Sequence, residues 1–448
     1  MLYYSTNKRA PKVPFATALL NGQAPDRGLY MPSAIPAMTG SELESLREME
    51  YYEMAARITG RYIDDIAPEK LLDITREAYN FEIPIETLSG NRHIMRLDRG
   101  PTASFKDFAA RMMGRLMNHY LELKDRNLLI LTATSGDTGS AIADAFFGLD
   151  RIEVVVLFPL NEVTARQRKQ MTTLGNNITI IGIDNKFDDC QALVKEAFAD
   201  TSLKNLNLSS ANSINIGRLI PQMVYYFYAW SKVTEGHEKV IFSVPSGNFG
   251  DMMGGVMAMR MGLPVEKFII AVNENDEFPR FLETGSYSKI EPSINCISSA
   301  MNVGHPSNLA RLTDLYGGEM DEKGVLVKEP NMSSMRDNIW SCSITDSETR
   351  DTIKEAWNSE GVLLEPHGAV GWRALNRYLD TTGRGSSTAA VSLETAHPAK
   401  FPEEIESLLR LDPELPPALK DIERKRESYE TLPGSYESFI EFLNDNYL

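Results

Sequence analysis

Apolar runs of strand length alternate with helical stretches through most of this chain. LLILTAT (Leu128–Thr134) is one such run, and after a polar turn the helix-like AIADAFFG follows. IEVVVLF (Ile152–Phe158) precedes the helical NEVTARQRKQM, and ITIIGI (Ile178–Ile183) precedes a helical stretch beyond Phe187. The pattern resumes at VIFSVP (Val240–Pro245), with MMGGVMAMRMG behind it, and continues in FIIAV (Phe268–Val272) and AAVSL (Ala389–Leu393). Continuous apolar strands separated by helices imply parallel sheets with crossover connections. The expected fold class is α/β, with two parallel-sheet domains and an N-terminal lobe.

The first 90 residues have another texture. Helix-like stretches at Glu42–Gly60 and Pro68–Tyr79 mix with proline-rich turns, and Arg27–Pro32 reads as a short strand ended by proline. Beyond Phe401 the chain is charged and helical, which predicts a solvated tail. No solenoid period and no low-complexity linker appear. Borders are expected near residues 95 and 235, giving an N-terminal lobe (1–95), a small α/β domain (96–235) and a large one (236–448).

The stretch Arg96–Gly114, RLDRGPTASFKDFAARMMG, organises the rest. Turn chemistry in Arg99-Gly100-Pro101 gives way to apolar residues at Phe105, Phe108, Ala109, Met112 and Leu116, a helical period. Lys106 falls at the loop-to-helix junction, followed by Asp107. Poor hydration there would lower its pKa and make it a candidate Schiff-base former. These residues alone are equally compatible with a surface lysine in a first helical turn.

A chain of 448 residues has ample length for several domains, and 42% hydrophobic with 24% charged residues is ordinary for a soluble enzyme. A net charge of −16 argues against a nucleic-acid partner, so any anion must be held by local donors. Cys190, Cys296 and Cys342 have unrelated spacings and no CxxC, which excludes a disulfide framework and a zinc site. The six histidines lack HxxxH and HExxH spacing, no Gly-x-Ser-x-Gly elbow occurs, and no metal is expected. The N-terminus lacks an apolar signal core and no long apolar run occurs, so a cytoplasmic protein without membrane contact is expected. The Met-rich helix Met252–Met261 reads as core packing.

Two loops share one design, a buried strand followed by small polar residues and a helix. Ser246-Gly247-Asn248-Phe249-Gly250-Asp251 would present backbone N–H groups at a helix N-terminus and suits a phosphate monoester. It is neither a Walker A loop nor a clean dinucleotide fingerprint, and a tight strand-to-helix turn explains it as well. Thr134–Ser140 offers hydroxyls and N–H donors for a carboxylate, or a simple helix cap. Both follow parallel strands at the sheet edge where ligands bind. Ser210–Asn215 followed by Arg218 is a third anion candidate, with a polar loop as its plain alternative.

Taken together, GPTASFKDFAAR, TATSGDTGSA, SANSINIGRLIPQ, VPSGNFGDMMGG, MNVGHPSNLAR and ETAHPAKF resemble threonine synthases, pyridoxal-phosphate enzymes of the tryptophan-synthase-β fold type. PFATALLNGQAPDRGLYMP resembles the N-terminal extension of the longer bacterial and fungal members. The resemblance implies pyridoxal 5'-phosphate in the cleft between the two domains, carried by Lys106 beside Phe105. It implies Gly247, Asn248, Phe249, Gly250 and Asp251 at the cofactor phosphate, and Thr395 by the pyridine nitrogen. Ser135, Gly136, Asp137, Thr138 and Gly139 would lie over the ring and hold the substrate carboxylate. Thr138, Ser213, Arg218 and Asn248 would contact the substrate phosphate. The fold type usually has asparagine where Asp137 stands, near the cofactor's 3′-oxygen, which questions a donor role for this side chain.

The implied reaction turns O-phospho-L-homoserine and water into L-threonine and phosphate, with Lys106 as the mobile proton carrier. A monomer or homodimer is expected. A serine/threonine dehydratase or an amino-alcohol phospholyase would need the same lysine and phosphate loop. A silent ligand sensor would not need Lys106, and a dinucleotide oxidoreductase would need the missing fingerprint.

Overall fold

The computed structural model describes residues 1–134, 136–383 and 387–448. The apolar runs become the centres of two sheets. A five-stranded, wholly parallel sheet has the order Glu430–Leu432, Ile178–Ile183, Ile152–Pro159, Leu128–Ala133 and Leu208–Ser209. A six-stranded sheet has the order Ile339–Ser343, Val265–Val272, Val240–Pro245, Ala389–Glu394, Arg92–Arg96 and Ile85–Leu88, of which only the last runs antiparallel to its neighbour. The central strands Leu128–Ala133, Val240–Pro245 and Ala389–Glu394 are buried at every residue, as two-sided burial requires.

The sheets do not follow the sequential division expected at residues 95 and 235. Ile85–Leu88 and Arg92–Arg96 precede the first border yet join the six-stranded sheet beside Ala389–Glu394. Glu430–Leu432, in the last segment, adds to the edge of the five-stranded sheet at Ile178–Ile183. A parallel partner is chosen by backbone pairing and burial, not by closeness in sequence.

The tail is likewise docked and not solvated. The helix Tyr436–Tyr447 buries Phe439, Phe442 and Leu443 against the five-stranded sheet, among Ile181, Leu193 and Val194. Its charged residues populate the opposite face, which is why the segment reads as polar. The long helix expected over Glu42–Gly60 is two, Gly40–Ser45 and Tyr51–Thr59. The break falls where Glu50 and Glu53 form their own capping box. A small antiparallel sheet (Val13–Pro14, Leu2–Ser5, Tyr30–Pro32) completes the N-terminal lobe. Among the described residues, no helix is long and apolar enough to cross a membrane.

The helix Lys106–Lys124 binds this lobe to the sheets. Phe108, fully buried, lies at the centre of a ring cluster, with centroids 5.1 Å from Phe81, 5.5 Å from Tyr225, 5.6 Å from Tyr51 and 6.1 Å from Tyr79. The Met-rich helix Gly250–Arg260 packs as expected, with Met252, Met253 and Met257 buried. Phe108→Ala removes the cluster's central ring two residues from Lys106, and urea unfolding should show a loss of about 3–5 kcal/mol.

Candidate active site

Lys106 owes its place to a splice between neighbouring strands. Arg92–Arg96 and Ala389–Glu394 run parallel, and the chain leaving each stays bonded to the other. Leu97 N donates to the Glu394 carbonyl at 3.0 Å, Phe105 N to that of Thr395 at 2.9 Å, and His397 N to that of Ala103 at 3.1 Å. Ala103 adopts a left-handed φ of 55° within this turn. The Asp107 carboxylate accepts from Thr102 N at 2.9 Å and Thr102 Oγ1 at 2.5 Å, closing the loop before the helix. A Cβ on Gly100 would lie 2.3 Å from Asp107 Oδ2, so only glycine fits there.

Lys106 is half-buried, with Nζ 4.8 Å from the Phe105 ring centroid. Among the described residues no carboxylate forms an ion pair with it. Burial lowers its pKa; Asp137 opposes this, whereas the charges of Lys400 and Arg218 add to it. A lysine so placed is readily deprotonated and nucleophilic.

The five-stranded sheet supplies the loop after Leu128–Ala133. Thr134 Oγ1 accepts from the N–H groups of Gly136 at 3.0 Å and Gly139 at 2.8 Å, and donates to the Gly136 carbonyl. Gly136 has a φ of 145°, and a Cβ there would meet Gln167 Nε2 at 2.6 Å. Thr138 is half-buried on the first turn of the helix Asp137–Phe146. Ser135 lies outside the described residues.

At the head of that helix Asp137 forms a buried ion pair, its Oδ1 2.7 Å from Lys400 Nζ, and also accepts from Gln167 Nε2 at 3.0 Å. Burial raises the Asp137 pKa, but Lys400 and then Lys106 outweigh it and hold the carboxyl well below the usual range. Asp137 is therefore an acceptor only. Lys400 also donates to the Thr102 carbonyl at 2.8 Å, so the pair ties this helix to the lysine loop. Sequence reasoning quoted Lys400 within ETAHPAKF but assigned it nothing, since an isolated lysine in a loop carries no signal until its partner is known.

The six-stranded sheet supplies the loop after Val240–Pro245. Phe249 caps the helix Gly250–Arg260 in a left-handed conformation, φ 63°. A Cβ on Gly247 would lie 2.8 Å from the Ala300 carbonyl, whereas one on Gly250 would face Ser213 Cβ at 3.6 Å. The third loop, Ser210–Asn215, thus meets the second directly. Asn248 is exposed, and its Oδ1 accepts from Ser307 N at 3.4 Å. Thr395 is buried at the splice. Asp251 departs from expectation: its carboxyl accepts from Tyr225 and Tyr226 hydroxyls at 2.5 and 2.6 Å, so only its backbone N–H remains for an anion.

Arg218 is 3% exposed, yet among the described residues no carboxylate pairs with it. Nη1 donates to the Ala211 carbonyl at 2.7 Å and Nε has no partner. Burial lowers its pKa to about 10, against the charges of Asp107 and Tyr225. A buried guanidinium with a spare donor beside two N–H-rich loops is suited to a phosphate. Pyridoxal phosphate fits these residues: a lysine without an ion-pair partner among the described residues, a glycine loop at a helix N-terminus held against the Ala300 carbonyl at Gly247, and the Thr395 hydroxyl.

Burial raises the Asp251 pKa from 3.8 to about 6, against the tyrosine hydrogen bonds. A carboxyl raised on folding binds more protons folded than unfolded, so its contribution to stability falls as pH rises between those values. Asp251→Asn, which keeps the acceptor, should gain stability relative to the parent from about pH 4 to about pH 6 and hold a constant offset above, as thermal unfolding against pH will show.

Comparison with known proteins agrees with this geometry. Family models match for the threonine synthase N terminus over residues 2–79, pyridoxal-phosphate-dependent enzymes over 82–393, and the threonine synthase C-terminal region over 368–442. The threonine synthase of Pseudomonas aeruginosa is 38% identical, over 100% of this chain and 98% of its own length. The crystal structure of pyridoxal-phosphate-bound threonine synthase from Brucella melitensis superposes with a TM-score of 0.93 at 35% identity, covering 100% of this chain and 99% of that one. That of the Escherichia coli threonine synthase gives 0.87 at 36% identity, covering 99% of this chain and 100% of that one. With family models, sequence and fold in accord over its whole length, this chain belongs to the threonine synthase family of pyridoxal-phosphate-dependent enzymes.

Proposed function

We propose that this chain converts O-phospho-L-homoserine and water into L-threonine and phosphate. The observation that carries this reading is a poorly solvated lysine without an ion-pair partner, flanked by anion loops from both sheets, with Arg218 buried and unpaired where they meet. Cofactor and substrate each bring a phosphate, and two separate sets of donors await them.

In this reading Lys106 carries the cofactor, Phe105 flanks it, and the N–H groups of Gly247 through Asp251 hold its phosphate, with Thr395 by the ring nitrogen. Bound there, pyridoxal phosphate supplies a conjugated ring that takes up the electron pair left at the substrate's Cα. Lys106, with its pKa lowered, is available as a neutral amine to remove the Cα proton and then to move a proton at Cβ. Ser135, Gly136, Thr138 and Gly139 surround the substrate carboxylate, with the Ser135 and Thr138 hydroxyls as its donors, since the Gly136 and Gly139 N–H groups are bonded to Thr134 Oγ1. Thr138, Ser213, Arg218 and Asn248 hold the substrate phosphate, which leaves from Cγ before water adds at Cβ. Asp137 stays ionised and keeps Lys400 and Gln167 in register around this pocket.

The holoenzyme given O-phospho-L-homoserine should release threonine and phosphate in equal amounts; phosphate with a keto acid in place of threonine would assign it to phospholyase chemistry. Borohydride reduction followed by peptide mapping should label Lys106, and Lys106→Ala should abolish turnover with unfolding unchanged. Arg218→Gln should raise KM for O-phospho-L-homoserine by roughly tenfold to hundredfold, as loss of a charge-assisted hydrogen bond implies.

A further inference from the structure

Arg311 is wholly buried, and among the described residues no carboxylate pairs with it. Its guanidinium is spent on main-chain oxygens and one amide. Nε and Nη2 donate to the Tyr30 carbonyl at 3.1 and 3.0 Å, and Nη2 also to that of Ile214 at 2.7 Å. Nη1 donates to the Ser213 carbonyl at 3.4 Å and to Asn308 Oδ1 at 2.6 Å. Asn308, its amide orientation set by that bond, turns Nδ2 to the Asn248 carbonyl at 2.9 Å and the Ser213 carbonyl at 3.3 Å. One side chain thus grips the loop Ser210–Asn215 at Ser213 and Ile214 and, through Asn308, the loop that contains Asn248.

We propose that Arg311 is a positioning residue that sets the spacing between the two anion-binding loops, with Asn308 as its relay. The inference rests on the reading of those loops as cofactor-phosphate and substrate-phosphate sites. Both loops end in small, irregular segments whose N–H groups must converge on separate anions, and neither helix nor strand hydrogen bonds join them. The Ser213 carbonyl drawn onto Arg311, and the Asn248 carbonyl drawn onto Asn308, turn the N–H groups of Ile214 and Phe249 the other way, so the same contacts that fix the spacing also orient a donor in each loop. A planar fork serves four acceptors at once, which an ammonium cannot. The positive charge has no internal anion to answer it, so it also favours a phosphate nearby in a low-dielectric surrounding.

The test compares parent, Arg311→Lys and Asn308→Asp as holoenzymes. Lysine keeps the charge and loses the fork; aspartate keeps an acceptor for Arg311 and loses both donated bonds. Calorimetric titration with inorganic phosphate should show Kd raised at least about tenfold in each variant, as the loss of two hydrogen bonds implies. KM for O-phospho-L-homoserine should rise by a similar factor, with kcat at saturation and the cofactor absorbance of the loaded protein little changed. A role confined to folding would lower the yield or unfolding temperature of holoenzyme and leave the phosphate Kd and KM of the loaded fraction at parental values, which overturns the proposal. If Arg311→Lys yields no folded protein, Asn308→Asp decides by the same two readouts. A parent that binds phosphate without forming threonine would refute the assigned reaction, whereas the phosphate Kd values would still judge the spacing role.

Discussion

Keeping a cation from water without a carboxylate beside it is costly, and the centre of this molecule does so repeatedly. Arg218 and Arg311 are buried with main-chain and amide acceptors only, and Lys106 is poorly solvated. Burial lowers the pKa of Arg311 to about 9, with neutral acceptors alone around its guanidinium. The rest of the architecture can be seen as holding these groups in place. The splice between Arg92–Arg96 and Ala389–Glu394 fixes Lys106, the third loop fixes Arg218, and the N-terminal lobe lends the Tyr30 carbonyl to Arg311. A net charge of −16 is therefore no bar to holding an anion here, because local donors and not the whole-chain sum decide the binding.

Carboxylates are not absent from this region; they are kept occupied or apart. Asp137 is neutralised by Lys400, Asp107 is consumed by Thr102, and Asp251 is turned to two tyrosines. Behind the splice, Glu394 and Asp98 share the field of Arg96, and burial raises the pKa of both, that of Asp98 to about 6. The negative charge of Asp137 is thus cancelled within 2.7 Å of its origin, by a lysine that also bonds the loop before Lys106.

Much of the fold was legible because strands buried on both faces have to be apolar throughout. Leu128–Ala133, Ile152–Pro159 and Val240–Pro245 announce themselves in this way. Arg92–Arg96 does not, since RHIMR has charge at both ends and its arginines are paired with Glu360 and Glu86. Glu430–Leu432 is an edge strand whose residues are mostly exposed, so no apolar run marks it. Lys106 and the glycine loops could be singled out as candidates because position relative to a helix start gives them meaning. Lys400, Asn308 and Arg311 were not, because what each does depends on partners as much as 298 residues away.

The order in which the sheets are completed has a consequence for the newly made chain. Ala389–Glu394 lies between Val240–Pro245 and Arg92–Arg96 in the six-stranded sheet, so these early strands wait for it with an open seam. Glu430–Leu432 and Tyr436–Tyr447, which cover an edge and a face of the other sheet, emerge from the ribosome later still. Until then the lysine loop lacks its hydrogen-bonding partner strand and the apolar faces stand uncovered, the condition in which nascent chains aggregate. A chain halted before residue 389 would hold Lys106 but not the splice that positions it, so the lysine loop takes its final shape only after Ala389–Glu394 has been added.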